Sequence, residues 1–599
     1  MAELIWEGKY DDRGRKVAPP RIALPFQTVE TVNESAADRD RNQDLFATGR
    51  PTDWRNRLIW GDKKYILPSL LEEFAGKVDL IYIDPPFDTG ANFTYTATIP
   101  DDPDKDGDQG ATFVKEPSLI EQKAYRDTWG HDLDSYARWF YETAVLLREL
   151  LTDRGSLYVH LDENVGHYVK TILDEVFHRD CFQREIIWRI GWISGYKSVA
   201  ANWIRNHDSI LFYTKNPKDS VFNKQYIPYP ADYVRRDGKK PEGKGYPIDD
   251  VWNGSPMDPL DSIQIMSFSG EKVGYPTQKN EGLVKRILTT SSNEGDLILD
   301  CFCGSGTTAA VAEKLNRRWI ACDLGRFAIH TTRKRLLGIP AVKPFVVQNL
   351  GKYERQAWQV AEFGEAAQAA TDRYRRFVLS LYHAQPVAGY VWLHGSKAGR
   401  MVHVGGVDAP VTRADVSGIV TEFRKAVGSG KDAPQRSGID VLGWDFAFEL
   451  NETARQEAEL AGINLRLIRI PREVLEKKAV EQGDIKFFEL AALSVGINKK
   501  ARTVTLKLTD FMIPLDDVPE EVQKAVTHWE QWIDYWAVDW NNSDDTFHNE
   551  WQSYRTRKDS TLARETSHTY DEAGKYRIVV KVIDILGNDT TRLIQVEVK

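Results

Sequence analysis

The chain has 599 residues, more than one hydrophobic core holds, so two to four domains are expected. Its 42% hydrophobic and 28% charged content is that of a globular protein. The net charge of −9 argues against bulk electrostatic embrace of nucleic acid, though not against a local basic groove. No run approaches the roughly 18 apolar residues of a membrane span, and the N-terminus lacks an apolar segment with a cleavage site. Four cysteines are too few for a disulfide framework in so long a chain, and the expected compartment is the cytoplasm.

Residues 1–55 are polar and broken by Pro19, Pro20, Pro25 and Pro51, which predicts an irregular arm. LIWGD (58–62), YILPSLLEEFAG and VDLIYIDPPF (78–87) then read as strand, helix, strand, the mark of a parallel sheet. SYARWFYETAVLLRELLTDRG (135–155) has helical spacing and is expected to stop at Gly155. SLYVHLD (156–162), REIIWRI (184–190) and DSILFYT (208–214) read as strands, with HYVKTILDEVF (167–177) an amphipathic helix. Residues 216–275 lose periodicity and read as an insertion. After it come the helix EGLVKRILTTSS (281–292), the strand DLILDCF (296–302), a Gly-rich turn, the helix TTAAVAEKL (307–315) and the strand RRWIACD (317–323). This alternation predicts a doubly wound α/β domain over 56–345. Beyond it we expect a helical linker at 346–384, a small α/β domain at 385–483 and a β-rich domain at 484–599, ending in a hairpin that turns at Gly587-Asn588-Asp589.

Two segments carry chemistry if the sheet brings them together, because ligands of open α/β sheets bind beyond the carboxyl ends of the strands. Asp84-Pro85-Pro86-Phe87 ends one strand. A nucleobase amine is a poor nucleophile because its lone pair is delocalised. A carboxylate and a backbone carbonyl accepting its N–H bonds would free that lone pair, and an aromatic face would stack on an extruded base. Phe302-Cys303-Gly304-Ser305-Gly306-Thr307 ends another strand and opens a helix, where glycines let backbone N–H groups approach a ligand.

These residues resemble the beta class of DNA amino-methyltransferases, the arrangement also found in modification subunits of type III restriction systems. Asp84-Pro85-Pro86-Phe87 is similar to that family's D-P-P-Y/F tetrapeptide. LDCFCGSGTT (299–308) is similar to its D-P-F-x-G-S-G-T-T loop, and YPTQKNEGLVKRIL (275–288) to P-T-Q-K-P-x-x-L. The resemblance covers roughly 56–335 and implies S-adenosylmethionine as cofactor, with N6 of adenine as acceptor. It implies that Asp84, Pro85, Pro86 and Phe87 hold the base. Asp300, Phe302, Gly304, Ser305, Gly306 and Thr307 would line the cofactor, with Asp323 on its ribose, Asp62 near its adenine, and Thr277, Gln278 and Lys279 toward its methionine end. Two departures, Cys301 and Asn280 in place of prolines, remove no ligand.

Target recognition in this class lies in the insertion, here about 216–272. Arg235, Arg236, Lys239, Lys240 and Lys244 are its candidate contacts to double-stranded DNA, although a solvated loop would also carry such charge. Cys301, Cys303 and Cys322 lack C-x-x-C pairing and read as core, so no metal is expected. His160 and His207 read as framework, Asp101–Asp108 as exposed loop, and the Trp-rich 528–540 as core. N4-cytosine methylation, methylation of RNA or a protein amide, and a DNA-recognition subunit without activity are the alternatives. The absence of G-x-x-x-x-G-K-[ST] assigns any helicase or nuclease to a separate partner. The C-terminal half carries no motif tied to chemistry, and homodimerisation or partner docking is its default role.

Overall fold

The computed structural model describes residues 3–34, 54–86, 95–100, 112–115, 133–189, 201–253, 271–427 and 438–599, apart from positions 231, 236, 240, 241, 365, 449, 451–457, 461, 484, 516–517 and 558. The chain divides into two compact units.

The first unit is built on β1 (Asn56–Trp60), α1 (Lys63–Phe74), β2 (Val78–Ile83), α2 (Leu133–Leu150), β3 (Leu151–Leu161), α3 (Gly166–Phe177), β4 (Phe182–Arg189) and β5 (His207–Thr214). It continues with α4 (Glu281–Ser291), β6 (Leu297–Asp300), α5 (Thr307–Lys314), β7 (Arg318–Asp323) and α6 (Arg326–Leu337). In space the strands run β4-β5-β3-β2-β6-β7-β1, and Val251–Trp252 extends the β4 edge. The five from β3 to β1 are mutually parallel, and their near-continuous apolar sequences are buried, as a sheet covered on both faces requires. β5 is antiparallel to both its neighbours. α1, α2 and α3 pack as one group, and α4, α5 and α6 as another. This is the doubly wound α/β architecture expected.

One adjacency positions the site. β6 inserts between β2 and β7, and the Asp79 carboxylate at the start of β2 accepts from Leu297 N of β6 at 2.8 Å. After β2 the chain crosses toward β3, and after β6 it crosses the other way toward β7. The loops leaving these neighbouring strands therefore diverge and open a crevice, the switch point of a doubly wound sheet.

Two local expectations shift, and the insertion proves to be anchored. α2 ends at Leu150, not Gly155, and β3 begins at once. The last carbonyls of α2 are taken instead by Gly76 N and Lys77 N. A Cβ on Gly155 would lie 2.8 Å from the Leu151 side chain and 3.1 Å from Val78 O, so this glycine serves a close backbone approach. The insertion is anchored on α4: Asn223 N donates to Thr290 O at 2.6 Å, and Gln225 Nε2 donates to Arg286 O at 2.8 Å. The N-terminal segment is not irregular throughout: it contains the strand Gln27–Val32, whose alternating, β-branched QTVETV stands among polar neighbours that mask the pattern.

The second unit takes in that strand and the whole of Pro344–Lys599. Gln27–Val32 pairs antiparallel with Phe345–Asn349 and parallel with Phe547–Asn549. The expected helical linker consists of two helices, Gly351–Phe363 and Ala367–Leu381, separated at Gly364 with φ 83°. A small sheet with parallel strands Arg400–Val404, Gly438–Gly443 and Asn464–Arg469 carries the helix Arg413–Val427. Two antiparallel sheets then enclose a core containing Trp532, Trp536 and Trp540, so the Trp-rich stretch is interior. Gly574–Asp584 and Asp589–Val598 form the expected hairpin, and Gly587 supplies the positive φ of its turn. Among the described residues, no helix is long and apolar enough to cross a membrane.

Candidate active site

Asp84 follows the last residue of β2, and the glycine turn follows the last residue of β6. The register Leu80↔Ile298 and Ile81↔Leu299 sets the two segments side by side at one edge of the sheet. Convergence of segments some two hundred positions apart is thus observed. Pro85 is buried, and Asp84 and Pro86 are half-buried. Phe87 lies outside the described residues, as do Arg236, Lys240 and Asp101–Asp108.

The two oxygens of Asp84 differ. Oδ2 accepts from Lys279 Nζ at 2.5 Å. Oδ1 is buried, and among the described residues no donor reaches it. A buried carboxylate oxygen without a donor is costly, roughly 1–3 kcal/mol or more, so this atom faces the place where a ligand N–H would be most favourable.

Behind Asp84 lies a buried relay. Tyr82 Oη and His160 Nδ1 are 3.0 Å apart, and His160 Nε2 is 3.1 Å from Asp208 Oδ2. Asp208 also takes the Arg205 guanidinium, which pairs with Glu163 as well. Burial pushes the Asp208 carboxyl up, but the His160 hydrogen bond and the fields of His160, Lys279 and Arg205 bring it down to about 2. His160 is therefore a satisfied framework residue, as expected. Sequence reasoning missed Tyr82, Asp208 and Arg205, which sit in unremarkable strand and loop sequence.

The glycine turn is held from several sides. Gly304 N donates to Asp323 Oδ2 at 2.8 Å, and Gly325 N to Asp323 Oδ1 at 2.8 Å. Gly304 and Gly306 have φ of 48° and 72°, and a Cβ on Gly306 would lie 2.6 Å from the Thr332 side chain. Only glycine serves at Gly306. Thr307 Oγ1 donates to the Lys279 carbonyl at 3.1 Å, which ties the Pro-Thr-Gln-Lys segment to the start of α5. Arg335 of α6, buried, donates to Thr307 Oγ1 at 2.8 Å, to the Ser305 hydroxyl at 3.3 Å and to Glu281 at 2.8 Å. Nothing in the sequence marked this arginine.

Asp300 is fully enclosed. Its Oδ2 accepts from Thr308 Oγ1 at 2.6 Å and its Oδ1 from Phe302 N at 3.0 Å. Burial, helped by the charges of Asp84 and Asp323, outweighs those bonds and pushes its carboxyl up to about 7. The Phe302 ring lies 5.7 Å from Trp139 of α2, whose face carries Lys63 Nζ at 3.8 Å. Asp62 ends the β1 segment and caps α1, accepting from Lys64 N at 2.9 Å.

The Gln278 and Lys279 side chains of the Pro-Thr-Gln-Lys segment are engaged within the protein. The side-chain amide of Gln278 is spent internally, donating to Glu271 O at 2.6 Å and accepting from Val273 N at 2.9 Å. The Lys279 ammonium is directed to Asp84. Asn280, where the family motif has proline, caps α4 by accepting from Leu283 N at 3.1 Å, so the departure replaces one helix-start device with another. Cys301, Cys303 and Cys322 are buried free thiols, pushed up by burial, in keeping with core packing. Arg235, Lys239 and Lys244 are exposed on the insertion. Beside them Tyr229, Tyr233 and Tyr246 form a ring cluster with centroids 4.7 to 5.5 Å apart.

Residues 78–334 match the family model described as DNA methylase. The chain is 28% identical over 361 residues to the type II methyltransferase M.EcaI of Enterobacter cloacae, covering 50% of this chain and 73% of that protein. It is 28% identical over 288 residues to the DNA adenine methyltransferase YhdJ of Escherichia coli strain K12, covering 47% and 82%. It is 24% identical over 219 residues to the EcoP15I Mod subunit, a type III restriction-modification enzyme of Escherichia coli, covering 36% and 31%.

Proposed function

We propose that this chain, whose residues 78–334 match the DNA methylase family model, methylates N6 of adenine in duplex DNA, with S-adenosylmethionine as donor, in restriction-modification or phage defence. The observation that carries the reading is the buried Oδ1 of Asp84, without a donor among the described residues, beside the glycine turn.

S-adenosylmethionine supplies a methyl group on a positively charged sulfur. The residues fit it: a glycine turn with positive φ at Gly304 and Gly306, an aromatic face at Phe302, and carboxylates at the neighbouring strand ends, Asp323 and Asp62. Asp300, Ser305 and Thr307 shape that turn from within. Thr277 approaches from the segment that Gln278 pins and Lys279 connects to Asp84.

On the base side, Asp84 Oδ1 accepts one amine N–H and the Pro85 carbonyl the other. The nitrogen is thereby held with its lone pair aimed at the donor, and it stays hydrogen-bonded as positive charge develops on it; the proton it sheds on gaining the methyl group passes to Asp84 Oδ1, the acceptor already bound to it, and on to solvent. Lys279 holds Oδ2, fixing the carboxylate plane. Pro86 stiffens the backbone, and Phe87 stacks on the base, which has to leave the duplex to reach a carboxylate at this depth. Aspartate at the first position of the tetrapeptide favours adenine over cytosine as the acceptor. Arg235, Arg236, Lys239, Lys240 and Lys244 contact phosphates, and a separate subunit supplies any cleavage.

The test uses the full chain, labelled S-adenosylmethionine and methyl-free plasmid DNA. Wild type yields N6-methyladenine on nucleoside analysis, and Asp84→Ala loses at least a thousand-fold in transfer while its cofactor affinity changes less than three-fold. N4-methylcytosine as the product overturns the base assignment, and labelling that persists in Asp84→Ala overturns the role of that carboxylate.

A further inference from the structure

Resting on that reading, we infer that Trp203 is the wedge that enters the DNA stack when the target base leaves it. Trp203 is 96% exposed, whereas Trp188 and Trp252 of the same unit are buried. Its ring has no aromatic or cation partner among the described residues, and its backbone N donates to Asn202 Oδ1 at 2.7 Å.

The position is defined by the sheet. β5 runs antiparallel to β3 with His160 opposite Ile210 and Leu161 opposite Ser209, so the residues just before His207 lie at the carboxyl-end edge of β3. β2, paired in parallel with β3, delivers Asp84 to that same edge. Two residues beyond Trp203, Arg205 clamps the loop there through Asp208 and Glu163. Asp208 in turn meets His160, which meets Tyr82, two residues before Asp84. A large apolar ring is thus presented to solvent from a braced loop, on the rim by which a base has to enter.

The occupant that suits it is the duplex itself. Extruding a nucleotide leaves an apolar slot between flanking base pairs, and proteins that deform DNA fill such slots with protruding apolar side chains. A protein partner placed over this rim would block the route to Asp84. By occupying the slot, the indole would oppose return of the extruded base, so its benefit is confined to substrates in which the base has a pairing partner to leave.

The experiment first maps the sites that wild type modifies in methyl-free plasmid DNA, then builds two oligonucleotide duplexes on that sequence. One pairs the target base normally, and the other places an abasic site opposite it. Trp203→Ala is expected to lose at least ten-fold in kcat/KM on the paired duplex and less than three-fold on the abasic one, with Trp203→Phe in between. A 2-aminopurine at the target position should brighten on binding wild type and stay dim with Trp203→Ala. Equal losses on both duplexes, or none on either, would overturn the wedge. Failure of wild type to methylate any DNA would instead overturn the functional reading on which it rests.

Discussion

Asp300 and Asp84 end neighbouring strands, yet their environments differ in kind. Asp84 has a cation on one oxygen and an open claim on the other. Asp300 has two donors, no ion pair among the described residues and complete burial, and its carboxyl is pushed up to about 7. Between the ordinary carboxylate range and about pH 7, the folded chain keeps a proton on Asp300 that the unfolded chain has released. Stability contributed by this group is therefore present in acid and lost as pH rises through that window, by at most about 1.4 kcal/mol per pH unit, with no further change above it. Asp300→Asn cannot titrate. Urea unfolding from pH 4.5 to 8 should show the wild-type stability falling relative to Asp300→Asn up to about pH 7, then a constant difference. Parallel curves across the whole range would mean that Asp300 ionises normally.

At the scale of elements, the site was legible where its chemistry is local and illegible where it is tertiary. Asp84-Pro85-Pro86 and the glycine turn could be read because proline, glycine and an acid at a strand end constrain their own backbone. The strands and helices of the first unit could be read from period-two and period-3.6 patterns. Nothing in those patterns pairs Lys279 with Asp84, since that contact depends on β6 lying beside β2 and on α4 following the Pro-Thr-Gln-Lys segment. Nor does helical periodicity separate Arg335, which crosses to α5 and α4, from the other basic residues of α6. Removing it tests that bridge. Arg335→Met keeps the aliphatic stem but strips the buried donors from Thr307, Ser305 and Glu281. Breaking a buried pair typically costs about 3–5 kcal/mol, and Glu281 retains Lys314 at 2.5 Å, so a loss near the lower end is expected in urea unfolding. Cofactor affinity, measured by calorimetry, should fall at least ten-fold because the glycine turn loses its brace. A stability loss with unchanged cofactor affinity would show that the bridge supports the fold and not the turn.

Across the whole molecule, the least legible feature was the membership of the N-terminal segment. Its strand Gln27–Val32 belongs to the second unit, and no local pattern announces partners more than three hundred residues away. The strand brings Glu30, fully buried, against Lys581 of the C-terminal hairpin, with Nζ 2.7 Å from Oε2. A buried charge deprived of its counter-charge costs far more than the pair contributes relative to neutral residues of similar shape. The two single variants and the double variant should therefore be grossly non-additive. Lys581→Met or Glu30→Gln alone should destabilise the second unit by about 3 kcal/mol or more, and the double variant by less than the larger single loss. Near-ultraviolet circular dichroism reports both units through their buried tryptophans, Trp188, Trp252 and Trp319 in the first and Trp532, Trp536 and Trp540 in the second, while cofactor binding reports the first alone. The dichroism transition should shift to lower urea in each single variant and recover in the double one, with cofactor affinity in the native state changing less than three-fold. Additive losses would show that the two charges are solvated independently and that the strand is held by its backbone ladder alone.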